Sequence, residues 1–302
     1  MSDPFDLGVL YTDHRALAAG TPLASLWSYR SCRPADRPEA SLDRPDGSLD
    51  LPHQYWLHRS DPLLNTILPG THLSIVVNAG DRWAAGRSLS TTSLLPPVAV
   101  FGPFTEPRLL RVGRQVRAIG AVIPALLSRD ITGVPANALL NQIVALEDLW
   151  PSRDVERLGS LTALRDVLLQ RLDAPARVPT LERSAAQLLT ARGGQVSIGR
   201  MAAHYGISRQ LFARRFHDAA GLSPKLFGRI VRFQGLVHAL LSNDVSQWAS
   251  VASHAGFYDQ AHMINDFRGF AGAPPTVFFQ PHDDTIDPAR IQVRGRPSEW
   301  LR

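Results

Sequence analysis

Between residues 196 and 279 the apolar positions fall at helical spacing, and they do so twice. Met201-Ala-Ala-His204-Tyr-Gly206 aligns with Val251-Ala-Ser-His254-Ala-Gly256 at an offset of 50. Ser208, Phe212, Phe216, Gly221, Pro224 and Phe227 then align with Asp259, Met263, Phe267, Gly272, Pro275 and Phe278 at an offset of 51. Two copies are too few for a solenoid, so the repeat predicts a pair of like modules, the second with one residue inserted at its turn. In the first copy Ile198, Met201 and Ala202 mark one helix, Gly206 supplies the left-handed residue that stops it, and Ser208 caps a second helix that buries Phe212 and Phe216. In the second copy Trp248, Val251 and Ala252, then Gly256, Asp259, Met263 and Phe267, take the same places. Ser223 and Pro224 open a long helix between the copies, carrying Phe227, Ile230, Val231, Gln234, Val237, His238 and Leu241.

Two short helices around a Gly-containing turn are the arrangement that sets a recognition helix into the DNA major groove. At about 100° per residue, the buried pairs leave one outward face on each second helix. In the first copy that face is Arg209, Gln210, Ala213, Arg214 and His217; in the second it is Gln260, Ala261, Ile264, Asn265 and Arg268. Arg, Gln and Asn match the donor and acceptor pairs on guanine and adenine edges, and Ala or Ile can meet a thymine methyl. A solvated polar face is the plainer reading of any one of these residues, but the repetition at equivalent positions favours DNA contact. The connecting helix, about 27 Å long over 224–241, suits two recognition helices about 34 Å apart in successive grooves. The copies differ in charge, since Arg209, Arg214 and Arg215 correspond to Gln260, Asn265 and Asp266. The first helix is therefore expected to supply most of the specific binding, with Asp266 beside phosphate opposing the second. In the alternative, Asp266 turns aside into an ion pair with Arg268 or Arg229.

The region before residue 180 has a different period. Short strand patterns fall at 23–29, 55–58, 73–77, 98–101, 109–112 and 116–123, with Gly and Pro between them, which predicts a small β-barrel or sandwich. Residues 1–20 show no clear pattern, and 33–52, crowded with Pro, Asp, Arg and Ser, reads as a long surface loop. After Pro124 the pattern turns helical at 126–127, 138–144 and 160–172, helices expected to close one side of the barrel. Residues 173–179 read as a linker, 181–191 as a supporting helix, and the stretch after 280 as a polar tail. The expected organisation is thus α+β: residues 1–175 a sensor domain, 176–281 an all-α domain of two helix-turn-helix units joined by the long helix, and 282–302 the tail.

Residues 207–216 (Ile-Ser-Arg-Gln-Leu-Phe-Ala-Arg-Arg-Phe), Gly221-Leu-Ser-Pro224, Ala255-Gly-Phe257-x-Asp259-Gln-x-His262, Phe267 and Pro274-Pro275 resemble the DNA-binding domain of AraC-type (AraC/XylS) transcription regulators. The resemblance covers about a hundred residues, 181–280. It implies sequence-specific binding of double-stranded promoter DNA and control of transcription, usually activation. By position it places base reading on Gln210, Ala213 and Arg214 and on Gln260, Ala261, Ile264 and Asn265. RNA polymerase and a small-molecule effector are the further partners it implies, with a homodimer left open. Leu68-Pro-Gly70 with 73–78, Phe101-Gly-Pro103, Gly120-x-x-Ile-Pro124, and Gly133-Val-Pro135 through 146–150 are similar to a little-characterised N-terminal sensor domain found ahead of this module. The chain departs from that domain in its insertion at 33–52 and in Thr71, and the resemblance names no ligand.

Composition narrows the alternatives. At 302 residues and 44% hydrophobic content the chain can fill two cores. Residues 1–180 hold 18 Arg and no Lys against 18 acids, whereas 181–280 hold 10 basic residues against 5 acids, so the net charge of +5 lies on the repeat. That is the footprint of a phosphate-binding surface. The single cysteine, Cys32, excludes an internal disulfide and any multi-thiolate metal site, and reads as a bystander. It also removes the methyl-transferring DNA-repair proteins that carry a similar DNA-binding module. With no secretory leader pattern and no apolar run of about 18 residues, a cytoplasmic protein is expected. His53, His58 and His72 lie near strands but lack the His-x-His pattern of a barrel metal site, and no Gly-x-Ser-x-Gly, phosphate loop or dinucleotide fingerprint occurs. No catalytic residue, metal or cofactor is therefore expected; the alternative is a β-barrel enzyme or ligand carrier fused to a DNA-binding module.

Overall fold

The computed structural model describes residues 64–113, 115–172, 180–242 and 256–278, together with the backbone of 10–15, 25–31 and 56–58. The N-terminal half is built from the strands β1 (Leu10–Arg15), β2 (Ser25–Ser31), β3 (Trp56–His58), β4 (Leu64–Ile67), β5 (His72–Asn78), β6 (Ala84–Gly86), β7 (Ser93–Leu94), β8 (Val98–Phe101), β9 (Arg108–Arg111), β10 (Arg117–Pro124) and β11 (Ile143–Ala145). They form two antiparallel sheets, one in the order β1-β2-β10-β5-β8-β11 and one in the order β3-β4-β9-β6-β7.

The alternation of side chains along β5, β8 and β10 decides how these sheets stack. Val76, Ala99, Phe101, Ala118 and Val122 point to one face of the six-stranded sheet and meet Ile67, Ala85 and Leu110 of the other sheet, around Trp83 and Phe104. Leu73, Ile75, Val100, Ala121 and Ile123 point to the opposite face. That second face is covered by α1 (Ser128–Thr132), α2 (Ser152–Glu156) and α3 (Leu161–Leu172), through Ile131, Val155, Leu164, Val167 and Leu168. The Trp150 indole N–H donates to the Ile131 carbonyl at 2.9 Å, and the Arg171 guanidinium lies 3.9 Å from the centre of the Trp150 ring.

Two sequence expectations are corrected here. Residues 10–15 were expected to lack pattern, yet they pair along β2 from Leu10↔Ser31 to Arg15↔Leu26. Residues 138–144 were expected to be helical. They divide instead into a 3-10 turn, Ala136–Leu139, and β11, which pairs with β8. The division comes at Asn141, whose backbone is left-handed at φ 58° and whose side-chain oxygen accepts the Thr105 N–H at 2.9 Å. The loop at 33–52, the linker at 173–179, Cys32 and the polar tail lie outside the described residues.

The C-terminal half is helical: α4 (Leu181–Ala191), α5 (Ile198–His204), α6 (Arg209–Ala220), α7 (Pro224–Ser242), α8 (Gln260–Ala271) and α9 (Pro275–Phe278). Its starts and stops follow the predicted chemistry. Ser208 accepts from the Leu211 N–H at the start of α6 and Asp259 from the His262 N–H at the start of α8. Gly206 and Gly256, at φ 66° and 76°, take the left-handed conformation that lets the chain turn between helices. Phe212, Phe216, Met263 and Phe267 are fully buried. The first helix expected in the second copy, with Trp248, Val251 and Ala252, falls outside the described residues.

The two halves share one interface. Leu68, from the N-terminal half, is buried in the helical core, with Leu126 and Leu140 packed against it. Arg183 of α4 pairs with Asp130 of α1, and the Gln234 amide of α7 donates to the Pro69 carbonyl at 3.3 Å. A Cβ on Gly221, after α6, would lie 2.9 Å from the Ala136 backbone, and one on Gly272, after α8, would lie 3.7 Å from Pro107.

Phe216 is fully buried and its ring meets Phe227 edge-on at 5.3 Å between centres. Phe216→Ala is therefore expected to lower stability by about 3–5 kcal/mol, whereas Leu94→Ala, at a position 63% exposed, should change it by about 0.5 kcal/mol or less. Urea unfolding of the full chain compares the two.

Candidate nucleic-acid interface

The turn before α6 and the buried Phe212–Phe216 pair orient the rest of that helix outward. Arg209, Gln210, Arg214 and His217 are exposed and Ala213 is half-buried. On α8, Gln260, Ala261, Asn265 and Arg268 are exposed and Ile264 is half-buried, packed at the edge of the helical core. Every residue expected on the two faces is thus accessible with both halves of the protein in place. The structure brings each set of five onto one helix surface.

The basic residues of this half divide into two groups. Arg183, Arg215 and Arg229 are held in ion pairs with Asp130, Glu182 and Asp266. Arg232 is packed over the Phe257 ring with its Nη2 donating to the Gly194 carbonyl at 3.4 Å. Burial holds its pKa below the ordinary arginine value, with Arg229 adding to that and Asp266 opposing it. Arg192, Arg200, Arg209, Arg214, Lys225 and Arg268 are exposed, and among the described residues none of them forms an ion pair. The free positive charge is therefore on the surface, where phosphate can reach it. Arg192, Arg200 and Lys225 are additions to the residues singled out from sequence, and the charge excess over 181–280 was the signal for them.

Asp266 requires a correction. The charge comparison set it beside phosphate, but its side chain is only 8% exposed and grips Arg229 of α7 through two contacts, Nη2 to Oδ1 at 2.7 Å and Nε to Oδ2 at 3.3 Å. Its carboxylate faces the protein, so it repels no DNA, and removing it would free a guanidinium on α7. The equivalent position in the first copy is Arg215, and it too reaches back to an earlier helix, where its Nε lies 2.7 Å from Glu182 of α4. The repeat thus keeps the tie between helices and reverses its charges. This extends the repeat to α4 and α7, beyond what the residue pattern showed.

Glu182 itself is buried and lies in the first turn of α4. Burial raises the pKa of its carboxyl, but its own backbone N–H, the Thr180 hydroxyl and Arg215 together hold the pKa below the ordinary value. Among the described residues no three His, Cys, Asp or Glu side chains gather as metal ligands could. Of the histidines weighed as ligands, the His72 side chain lies beside the Thr71 hydroxyl at 3.3 Å, while the side chains of His53 and His58 lie outside the described residues. No described helix is long and apolar enough to cross a membrane.

Residues 201–280 match the helix-turn-helix domain family. Solved structures similar to this chain include ToxT from Vibrio cholerae, 8% identical, with 75% of this chain and 93% of that one covered at a TM-score of 0.43. Wild-type ToxT from Vibrio cholerae with unsaturated fatty acid bound is also 8% identical, with 76% and 94% covered at 0.43. The AraC-like transcriptional activator CuxR is 12% identical, with 80% and 91% covered at 0.27. No curated protein matches the chain.

Because its folded pKa is lowered, Glu182 contributes stability that is fully present above its unfolded value, near 4.5, and is lost as pH falls through the folded value. Glu182→Gln is expected to cost about 1 kcal/mol at pH 7, and the gap to the unsubstituted protein should narrow as pH falls below 4.5. Thermal unfolding across that range measures it.

Proposed function

From the AraC-type helix-turn-helix domain at residues 201–280 we propose that this chain is a sequence-specific regulator of transcription that reads two successive major grooves with α6 and α8. The observation that carries the reading is the outward face of α6. Arg209, Gln210 and Arg214 stand exposed there and, among the described residues, unpaired, while Phe212 and Phe216 on the opposite side fix the helix in place. Arg214 forks onto a guanine edge and Gln210 pairs with adenine, the bidentate contacts their geometry suits. On α8, Gln260 and Asn265 read bases and Arg268 meets the backbone. Arg192, Arg200 and Lys225 supply phosphate contacts without sequence preference.

The N-terminal half, residues 1–175, senses a small effector and passes its state to the DNA-binding half through the contacts at Pro69, Asp130 and Ala136. The support for this is their placement: they touch α4, α7 and the end of α6, not the reading faces. The regulator acts on RNA polymerase at its promoters. The balance of charge supports an unequal pair of recognition helices, since the α6 face carries Arg209 and Arg214 where the α8 face carries Gln260 and Asn265.

In a binding-site selection with the full chain, Arg214→Ala is expected to cost about 1–3 kcal/mol and to relax preference at one base pair. Asn265→Ala should cost several times less; equal losses would overturn the inequality between the helices, and an unchanged motif with Arg214→Ala would remove that residue as a base reader. Affinity should also fall steeply between about 50 and 200 mM salt, with a slope in log–log form of at most about −5 for six neutralised phosphates. Affinity indifferent to salt would remove the electrostatic part of the reading.

A further inference from the structure

The second copy of the repeat is one residue longer than the first, and the extra residue is Tyr258. Gly206-Ile207-Ser208 corresponds to Gly256-Phe257-Tyr258-Asp259. Ile207 and Phe257 both pack into the helical core, and Ser208 and Asp259 both cap the helix that follows, which leaves Tyr258 without a counterpart. It is 94% exposed, and among the described residues its hydroxyl has no hydrogen-bond partner and its ring no ring contact. Among the described residues, then, this tyrosine makes no contact of its own that would hold it.

Its place is specific. Tyr258 stands one residue before the N-cap of α8, in an exposed run that continues through Asp259, Gln260 and Ala261. A recognition helix enters the groove by its N-terminal end, and the groove is walled by phosphates. The one cation of the α8 face, Arg268, lies in the last turn, and the first turn has Gln260 where α6 has Arg209. A helix whose entering turn carries neutral side chains gains from a backbone contact at that end, and tyrosine hydroxyls are among the donors that serve DNA phosphates.

We propose that Tyr258 is a positioning residue of the DNA interface, its hydroxyl donating a hydrogen bond to a phosphate at the edge of the groove entered by α8. This rests on the reading of α6 and α8 as recognition helices. Because the phenol is neutral, the contact adds affinity without releasing a counterion, so it leaves no mark on salt dependence.

The test uses the full chain and a duplex recovered by selection from random DNA with the unsubstituted protein. Tyr258→Phe, which removes only the hydroxyl, should weaken binding about tenfold, as expected of a hydrogen bond to a charged group. The slope of log affinity against log salt and the thermal midpoint should stay unchanged. Phosphate ethylation interference should disappear at one phosphate of the second half-site and persist across the first. Tyr258→Phe binding like the unsubstituted protein overturns the proposal, as does a loss of interference in the first half-site. Loss with Tyr258→Ala but not with Tyr258→Phe also overturns it, since the ring and not the hydroxyl would then make the contact. Failure of the unsubstituted protein to select any sequence overturns the reading of the helices themselves, an outcome distinct from all of these.

Discussion

The helical half depends on α7, which has to be buried against two sets of helices at once. A helix that serves one partner needs one apolar stripe. On α7, Phe227, Ile230, Val231, Phe233, Leu236, Val237 and Leu240 are all buried, and so is Gln234. Phe227 meets Phe216 of α6, and Phe233 meets Phe267 and Phe270 of α8 at ring-centre distances of 5.4 and 5.1 Å. At Gly228 the backbone itself is the contact surface, because a Cβ on the facing Gly194 would fall 1.9 Å from the Gly228 carbonyl oxygen. With side chains committed around most of its circumference, α7 cannot rotate to suit one side without unpacking the other. The core thus holds α6 and α8 through their packing on α7, whose rotation is blocked.

That core also decides which charges are free. Each copy ties its second helix back to an earlier one, α6 to α4 and α8 to α7, by one ion pair, Glu182 with Arg215 and Arg229 with Asp266, with the acid and base exchanged. In both pairs the carboxylate is the better buried partner, 9% and 8% exposed against 47% and 40% for the guanidinium. The exchange costs the fold little, since either polarity satisfies the buried carboxylate, but it changes the account of charge on the surface. Arg215 and Arg229 are counted in the basic excess of this region yet are spent within the protein. What remains for phosphate is a smaller set, weighted toward the first copy.

The parts legible in sequence were those whose physics is local. Caps at Ser208, Ser223 and Asp259, the left-handed glycines at 206 and 256, and the i, i+4 aromatics of α6 each depend on neighbours within a turn or two, and the structure has them as the pattern predicts. The outward faces followed from the same local arithmetic. The strands that went unread, β1, β4, β6, β7 and β11, are short or are specified by partners far along the chain. β4 is one example: its four residues are all buried, which removes the alternation that marks a strand. Asp266 was misplaced for a related reason. Its position on the helix can be counted from sequence, but its partner Arg229 lies on a different helix, and only the packing of α8 on α7 brings the two together.

The interface between the halves constrains how any signal could pass. Gly221 and Gly272 close α6 and α8 at their C-terminal ends, and both lie against the N-terminal half, at Ala136 and at Pro107. Those two surfaces are themselves joined. Asn141, just after the 136–139 turn, accepts from the Thr105 N–H and also hydrogen-bonds its hydroxyl, which links the segments around Ala136 and Pro107 into one piece. A displacement of that piece would act on the far ends of both helices together, leaving their outward faces uncovered. Since α7 opposes rotation, the response open to the helical half is a small shift in the separation or tilt of α6 and α8. DNA grooves repeat at a fixed spacing of about 34 Å, so a shift of that kind changes whether both helices can dock at once. On the proposed reading of α6 and α8 as recognition helices, the contacts between the halves fit control by alignment better than control by masking.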